Sequence, residues 1–292
     1  MRASIGFDQQ VDRRLVHRAS TSEVLPTDFV TVSDHVFLAG LQWPRAHSFY
    51  HIDPVDSALV VESIRQLTIL TAHLGLAVPM DARFVMPSLG FTVRGDVLTA
   101  PGQALQLATS LAACRVRRTA SGRVRSIRVL VRIRQDDRTI ATGYGDALLL
   151  TNHEYSRLRG PRLHARPHAP AGDAAPRPSE VGRLRDHDVT VRRSDAGFTV
   201  ISDLANSTWF DHIVDHVPGA ALIEACLQAV RVERDDPSLD FLTLDARFHH
   251  IVEFDAPNNL VTSGRETTHV SIRQSGRTCV SASGALHRGR RS

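Results

Sequence analysis

The chain has 292 residues, of which 42% are hydrophobic and 23% charged, and a formal net charge of +4. It contains no lysine, which excludes Schiff-base catalysis and a phosphate loop built on lysine. No apolar run reaches membrane-spanning length, and the first eight residues lack the apolar core of a secretion signal, so no membrane association is expected.

In chain order, a strand is predicted at 35–42, followed by a long helix at 57–73. That helix is apolar almost all round (Ala58, Leu59, Val60, Val61, Ile64, Leu67, Ile69, Leu70), and a helix apolar on every face is buried on every face. Strands are predicted at 83–93 and 105–117. Ile127, Val129, Val131 and Ile133 then alternate with Arg128, Leu130, Arg132 and Arg134, the period-two pattern of a strand with one buried face. Asp136-Asp137 forms a turn, and 139–150 returns. Residues 160–179 are rich in Pro and Ala, almost without large apolar side chains, and read as a flexible or partly extended linker. Beyond it come strands at 188–192 and 198–203. A second apolar helix covers 218–232, with Pro218 suited to the first helical position. Strands at 241–250 and 259–268 and a last hairpin through Val270, Ile272 and a Ser275-Gly276 turn complete the reading.

The chain repeats itself. Asp53-Pro-Val-Asp-Ser-Ala-Leu-Val-Val-Glu62-Ser-Ile-Arg65-Gln66 returns as Asp215-His-Val-Pro-Gly-Ala-Ala-Leu-Ile-Glu224-Ala-Cys-Leu227-Gln228. Val16-His17-Arg18 before Glu23-Val24 returns as Val181-Gly182-Arg183 before Asp188-Val189. Asp81-Ala-Arg-Phe84 returns as Asp245-Ala-Arg-Phe248, and Val131-Arg-Ile-Arg-Gln135 as Val270-Ser-Ile-Arg-Gln274. The offset shrinks along the chain, which places an insertion in the first copy around 98–122. Each copy holds one buried helix and a set of antiparallel strands. A central helix wrapped by a strongly curved sheet is the hotdog arrangement. The expected fold is therefore α+β, a tandem double hotdog with domains at 14–159 and 180–288 and the linker between them. The two copies are expected to form an intramolecular pseudo-dimer, with sheets side by side and helices facing; further self-association is left open.

Chemistry is sought first at Glu62 and Glu224, because an unpaired carboxylate among Val, Leu, Ile and Ala is unfavourable by several kcal/mol, on the order of 2–7 even for neutral polar groups. Burial is expected to raise such a carboxyl toward neutrality, which suits a general base for a hydroxyl nucleophile. The structural alternative is a carboxylate that caps backbone N–H groups or pairs with Arg. Arg65, three residues on, shares a helix face with Glu62; it either clamps a substrate phosphate or forms an internal ion pair. Glu224 has Leu227 in place of that arginine. Asp211, His212, Asp215 and His216 precede the second helix, whose N-terminus at Gly219 offers backbone N–H groups to a developing negative charge. In hotdog dimers the loop His of one copy often faces the helix acid of the other, which makes His212 and Glu62 the cross-copy pair expected to act together. His249-His250 point to opposite strand faces and cannot readily share a metal. No Cys/His cluster has ligand spacing, no nucleotide motif occurs, and no metal or cofactor is expected. Three distant cysteines suit a reduced cytoplasmic setting. The arginines lie along strands, as a solvated face or as a surface for an acidic partner, and no nucleic-acid-binding signature is present.

Two families are resembled. Asp215-His216-Val217-Pro218-Gly219 with Leu222, Glu224, Ala225 and Gln228 resembles the helix entry of β-hydroxyacyl carrier-protein dehydratases, although His212 lies two residues closer to the helix than in that pattern. The closer resemblance, over about 14–288, is to the A-factor biosynthesis hotdog family of γ-butyrolactone autoregulator synthases. It is carried by Val16-His17-Arg18, Glu23-Val24-Leu25 with Thr27-Asp28, Gln42-Trp43-Pro44-Arg45 with His47 and Phe49-Tyr50, Glu62-x-x-Arg65-Gln66, Phe210-Asp211-His212, Asp215 to Gly219, and Arg247-Phe248 with Glu253-Phe254-Asp255. The resemblance implies an acyltransferase that joins a β-ketoacyl group from an acyl carrier protein to dihydroxyacetone phosphate, the ester then cyclising toward a γ-butyrolactone-type signal. It implies catalytic roles for Glu62, His212 and Glu224, and substrate contacts at Arg65, His47, Asp215, His216 and Gly219. For His47 a turn-stabilising role is the competing reading. The alternatives are a dehydratase or thioesterase on a similar acyl thioester, or a non-catalytic ligand-binding regulator, which Leu227 favours.

Overall fold

The computed structural model describes residues 5–99, 103–166 and 175–288. Contacts divide the chain into two compact units, Met1–Leu158 and Arg159–Ser292.

The first unit opens with a 3-10 turn at Arg13–Val16, capped by the Asp12 side chain, and a second at Thr21–Glu23, capped by Ser20. Strands β1 (Pro26–Ser33) and β2 (Val36–Trp43) form a hairpin. Then come helix α1 (Ser57–Leu70) and strands β3 (Arg83–Val85), β4 (Ser88–Val93), β5 (Leu105–Arg118), β6 (Val124–Gln135) and β7 (Arg138–Leu150). Pairing is antiparallel throughout, in the order β1-β2-β5-β6-β7-β4, with β3 lying along the far end of β7. Asp56 starts α1, its carboxylate accepting from the Ala58 N–H at 2.9 Å. The helix packs against β4, β6 and β7, and every residue of it is buried except Arg65. Its polar residues are satisfied inside: Ser63 and Thr68 donate to carbonyls one turn back, and Trp43 donates its indole N–H to Ser63 at 2.9 Å.

Helix α2 (Asn152–Arg159) bridges into the second unit, which repeats the plan with β8 (Val191–Ser194), β9 (Gly197–Val200), α3 (Gly219–Glu233), β10 (Leu239–Phe241), β11 (Thr243–Phe248), β12 (Asn258–Ser263), β13 (Thr267–Gln274) and β14 (Arg277–Arg288). The order is β8-β9-β12-β13-β14-β11, with β10 along the end of β14. Both units therefore have the same strand order around one buried helix, the α+β hotdog expected twice over. The expected insertion is the longer β5–β6 hairpin, whose strands have 14 and 12 residues against 6 and 8 in β12 and β13.

Several expectations are corrected. The Asp81-Ala-Arg-Phe84 match is not structural: Arg83 and Phe84 lie in β3, whereas Asp245 to Phe248 lie in β11, the counterpart of β4. The strand expected at 83–93 is two strands, broken at Met86-Pro87, because proline has no N–H for the ladder. The segment 259–268 contains a turn at Gly264, whose φ is +82°. Asp186–Asp188 is a 3-10 turn rather than the start of a strand. The sequence pattern predicts neither strand β1 nor helix α2; β1 grades from buried at Pro26 and Thr27 to exposed at Thr31 to Ser33 and so lacks the alternation of a strand with one covered face. Pro218 caps α3 from outside its first turn. The linker reading fails at its start, where Gly160–His164 is a 3-10 helix and Arg162 bonds Asp255 at 3.1 Å; residues 167–174 of it lie outside the described residues.

Candidate functional site

The repeated motif builds the same object in each unit. In the first, Arg13–Val16 ends in His17 with left-handed φ of +52°, and this reversal turns Arg18 inward onto α1. Arg18 Nη2 meets Glu62 Oε1 at 2.7 Å, and Gln66 on the next turn donates to the same oxygen. Gln66 also donates to the Glu23 carbonyl and accepts from the Leu25 N–H, at 2.7 and 2.9 Å. In the second unit Gly182, φ +67°, takes the place of His17, and Arg183 meets both oxygens of Glu224 at 2.8 and 2.7 Å. Gln228 donates to Glu224 and to the Asp188 carbonyl and accepts from the Thr190 N–H. Glycine is required at 182, because a Cβ there would sit 2.5 Å from the Pro237 carbonyl oxygen. Arg18 and Arg183 thus pin each entry segment to its helix. Their sequence signal is the repeated Val-x-Arg of Val16-His17-Arg18 and Val181-Gly182-Arg183.

Glu62 is 1% exposed. The expectation that burial raises its pKa toward neutrality is overturned. Burial pushes the carboxyl up, but the charges of Arg18 and Arg65 and hydrogen bonds from Arg65 and Gln66 outweigh it and bring it to about 2. Arg65 donates Nε to Oε2 at 2.9 Å and Nη2 to Oε1 at 2.8 Å and to the Val16 carbonyl at 3.2 Å. A carboxylate held by two guanidinium groups is a poor proton acceptor near neutrality. Its stabilised charge sets an expected pH dependence. The folded value lies below the ordinary 4.5, so this stability is complete above about 4.5 and is lost as pH falls toward 2. Acid unfolding followed by circular dichroism should show that loss in the native chain, and Glu62→Gln should flatten it.

The two helices differ at one arginine. Leu227 is buried, and Arg231, one turn further along, donates to the Val181 carbonyl at 2.8 Å, the counterpart of the Val16 carbonyl that Arg65 reaches. The structural part of Arg65 is thus supplied from a different turn in the second unit. Arg65 has something more. Its side chain is 19% exposed, and among the described residues its Nη1 takes no hydrogen bond.

The remaining candidates separate. His47 accepts the Phe49 and Tyr50 N–H groups on Nδ1 at 3.0 and 3.1 Å and points Nε2 at Glu23 Oε1, 3.2 Å away. It holds the turn, the competing reading, and also holds a second carboxylate. The Tyr50 ring lies 4.7 Å from that of His47. Burial and the neighbouring negative charges of Glu62, Glu23 and Asp56 outweigh the opposing charge of Arg18 and keep the Tyr50 hydroxyl protonated well above its usual range. In the second unit, His212 and His216 each bond the preceding aspartate through Nδ1, at 2.5 and 2.7 Å. A carboxylate only accepts, so Nδ1 donates and Nε2 of the neutral ring carries the lone pair. His212 is 45% exposed on its side chain. Asp215 is fixed from behind by the buried Arg159, which also forks onto Glu253 with two 2.7 Å bonds. Gly219 packs under Phe248, whose ring would stand 3.2 Å from a Cβ. Among the described residues no group of three or more His, Cys, Asp or Glu could hold a metal ion, and no helix is long and apolar enough to cross a membrane.

Two buried helices, each wrapped by an antiparallel sheet in the same strand order, define a tandem hotdog protein. Residues 2–151 match the A-factor biosynthesis hotdog domain, and the chain belongs to that family. It is 33% identical over 256 residues, 85% of each chain, to a Streptomyces virginiae protein named 2-oxo-3-(phosphooxy)propyl 3-oxoalkanoate synthase. A Streptomyces coelicolor protein of the same name is 30% identical over 85% of this chain and 80% of its own. Among solved structures, the 12:0-ACP thioesterase from Umbellularia californica superposes with a TM-score of 0.50 over 87% of this chain and 97% of its own; at 12% identity this bears on the fold alone.

Proposed function

We propose that the protein transfers a 3-oxoacyl group from the thiol of an acyl carrier protein to the free hydroxyl of dihydroxyacetone phosphate, forming a 2-oxo-3-(phosphooxy)propyl ester on the route to a γ-butyrolactone-type signal. The observation that carries this reading is the 33% identity, spanning 85% of both chains, with a synthase named for that product. The reaction is assigned to the cytoplasm, the reduced setting that three distant cysteines suit. The hydroxyl oxygen attacks the thioester carbonyl, the C–S bond breaks, and the hydroxyl proton leaves with the carrier thiol. No acyl-enzyme is required.

Arg65 is the proposed phosphate ligand, through its open Nη1, because a planar guanidinium matches phosphate oxygens. Glu62 orients that arginine rather than acting as base, and Glu224 with Arg183 serves the entry segment of the second unit. In that unit His212, accessible at Nε2 and oriented by Asp211, is a proposed hydrogen-bonding contact to substrate, as is His216.

The test is mass spectrometry of purified protein with a 3-oxoacyl carrier protein and dihydroxyacetone phosphate. A phosphorylated ester or its cyclised butenolide is expected. Free acid or an enoyl product with the phosphate untouched would move the protein to the thioesterases or dehydratases. In the same assay His212→Ala is expected to lower kcat/KM roughly tenfold, the loss of about one hydrogen bond to substrate. A loss below twofold would remove His212 from the site.

A further inference from the structure

Glu23 is the carboxylate that, among the described residues, keeps a buried side-chain oxygen without a hydrogen-bond partner. It ends the Thr21–Glu23 turn, its side chain is 9% exposed, and its Oε1 is held by His47 Nε2 at 3.2 Å. Since His47 Nδ1 accepts two backbone N–H groups, Nε2 carries the ring proton of the neutral imidazole and donates it to Oε1. Oε2 is buried and meets no hydrogen-bond donor among the described residues. A buried carboxylate oxygen without a donor is rare in native structures and calls for a water, an ion or a functional explanation.

The repeat supplies an internal control. Gln66 Nε2 donates to the Glu23 carbonyl as Gln228 Nε2 donates to that of Asp188, so the two acids are counterparts. Asp188 is fully occupied: Arg185 reaches both of its oxygens, at 3.0 and 3.2 Å, and Asn206 donates to Oδ1 at 3.2 Å. The same fold position therefore has a donor for every oxygen in one unit and an open acceptor in the other. The open one adjoins the buried charged cluster around Glu62. Glu23 and Glu62 are joined through Gln66, and Glu23, Glu62, Arg18 and Asp56 all act on the Tyr50 hydroxyl. Glu62 is saturated; Glu23 is not.

We infer that Glu23 Oε2 receives the hydroxyl of the acceptor alcohol and takes its proton during transfer, with His47 as the positioning residue that fixes the carboxylate. This rests on the proposed acyl transfer. The alcohol O–H proton passes to Oε2 as the oxygen bonds to the thioester carbon; when the C–S bond breaks, the carboxylic acid returns the proton to the carrier thiolate, leaving Glu23 ionised again. A general base at this point contributes typically 10²–10⁴-fold.

The experiment compares unmutated protein and Glu23→Gln with a 3-oxoacyl carrier protein and dihydroxyacetone phosphate. Glu23→Gln keeps the acceptor for His47 and removes the base, so kcat should fall roughly 100-fold or more, with little change in KM for the phosphate. If unmutated protein makes the ester and the variant makes it within threefold, the role is overturned while the transfer stands. If unmutated protein makes no ester, the transfer reading itself falls and this role with it. Should the variant not fold, a crystal of unmutated protein soaked with dihydroxyacetone phosphate decides. The hydroxyl oxygen within hydrogen-bond reach of Oε2, about 3 Å, supports the role; a hydroxyl placed elsewhere, with a structural water on Oε2, overturns it.

Discussion

Glu62→Ala is expected to destabilise the first unit by about 3–5 kcal/mol, the range for removing one partner of a buried ion pair. The substitution leaves Arg18, buried with its side chain 4% exposed, facing the place where its carboxylate stood. It also releases Gln66, whose amide bridges Glu62 to the Glu23 carbonyl. The loss is larger than the methylenes alone explain, because an uncompensated guanidinium must either be desolvated or drag water into α1. A paired substitution separates the two contributions. Arg18→Met with Glu62→Leu removes both charges at similar volume and should recover most of the loss, since apolar replacement of a buried ion pair is often neutral or stabilising. Chemical denaturation of the singles and the double gives the coupling energy directly. A double no more stable than Glu62→Ala would mean that the clamp contributes by geometry, fixing the entry segment, and not by charge.

The second large effect concerns binding. Arg65→Ala is expected to raise KM for dihydroxyacetone phosphate about 10- to 100-fold. A hydrogen bond to a charged group is worth about 1.5–3 kcal/mol, and each 1.4 kcal/mol is tenfold. Arg65 is the single residue of α1 that is not buried, and the clamp uses only its Nε and Nη2. A purely structural arginine would lower activity toward every acceptor alike. A phosphate ligand would not: the preference for dihydroxyacetone phosphate over dihydroxyacetone, as a ratio of kcat/KM values, should collapse in Arg65→Ala and persist in part in Arg65→Lys, which keeps the charge but loses the fork. An unchanged ratio would restrict Arg65 to holding Glu62 and the Val16 carbonyl.

The same residue explains why Leu227 does not point to a defective copy. The carbonyl contact that Arg65 makes in the first unit is made in the second by Arg231, reaching from one turn away. What the second helix lacks is an arginine nitrogen left open toward solvent. Under the proposed function this asymmetry, like the contrast between Glu23 and Asp188, belongs to ligand binding rather than to the fold.

The sequence by itself determined the architecture. Two helices apolar on every face can only be wrapped, and the alternation through Ile127 to Ile133 can only be a sheet strand with one face covered; these are properties of local periodicity, which needs no tertiary information. The repeat of Glu62-x-x-x-Gln66 in Glu224-x-x-x-Gln228 marked the buried polar positions for the same reason. It also misled once, at Asp81 to Phe84, because four matching residues carry no information on which strand they join. The state of each carboxylate was decided only by the tertiary structure. Against burial, Glu62 is drawn down to about 2 by Arg18, which lies 44 residues away in the chain, together with Arg65 and Gln66 on its own helix, and Glu23 is completed on one oxygen by His47 and left open on the other. Charge and hydrogen-bond occupancy depend on which side chains the fold brings within about 3 Å, and the spacing of residues along the chain does not contain that distance.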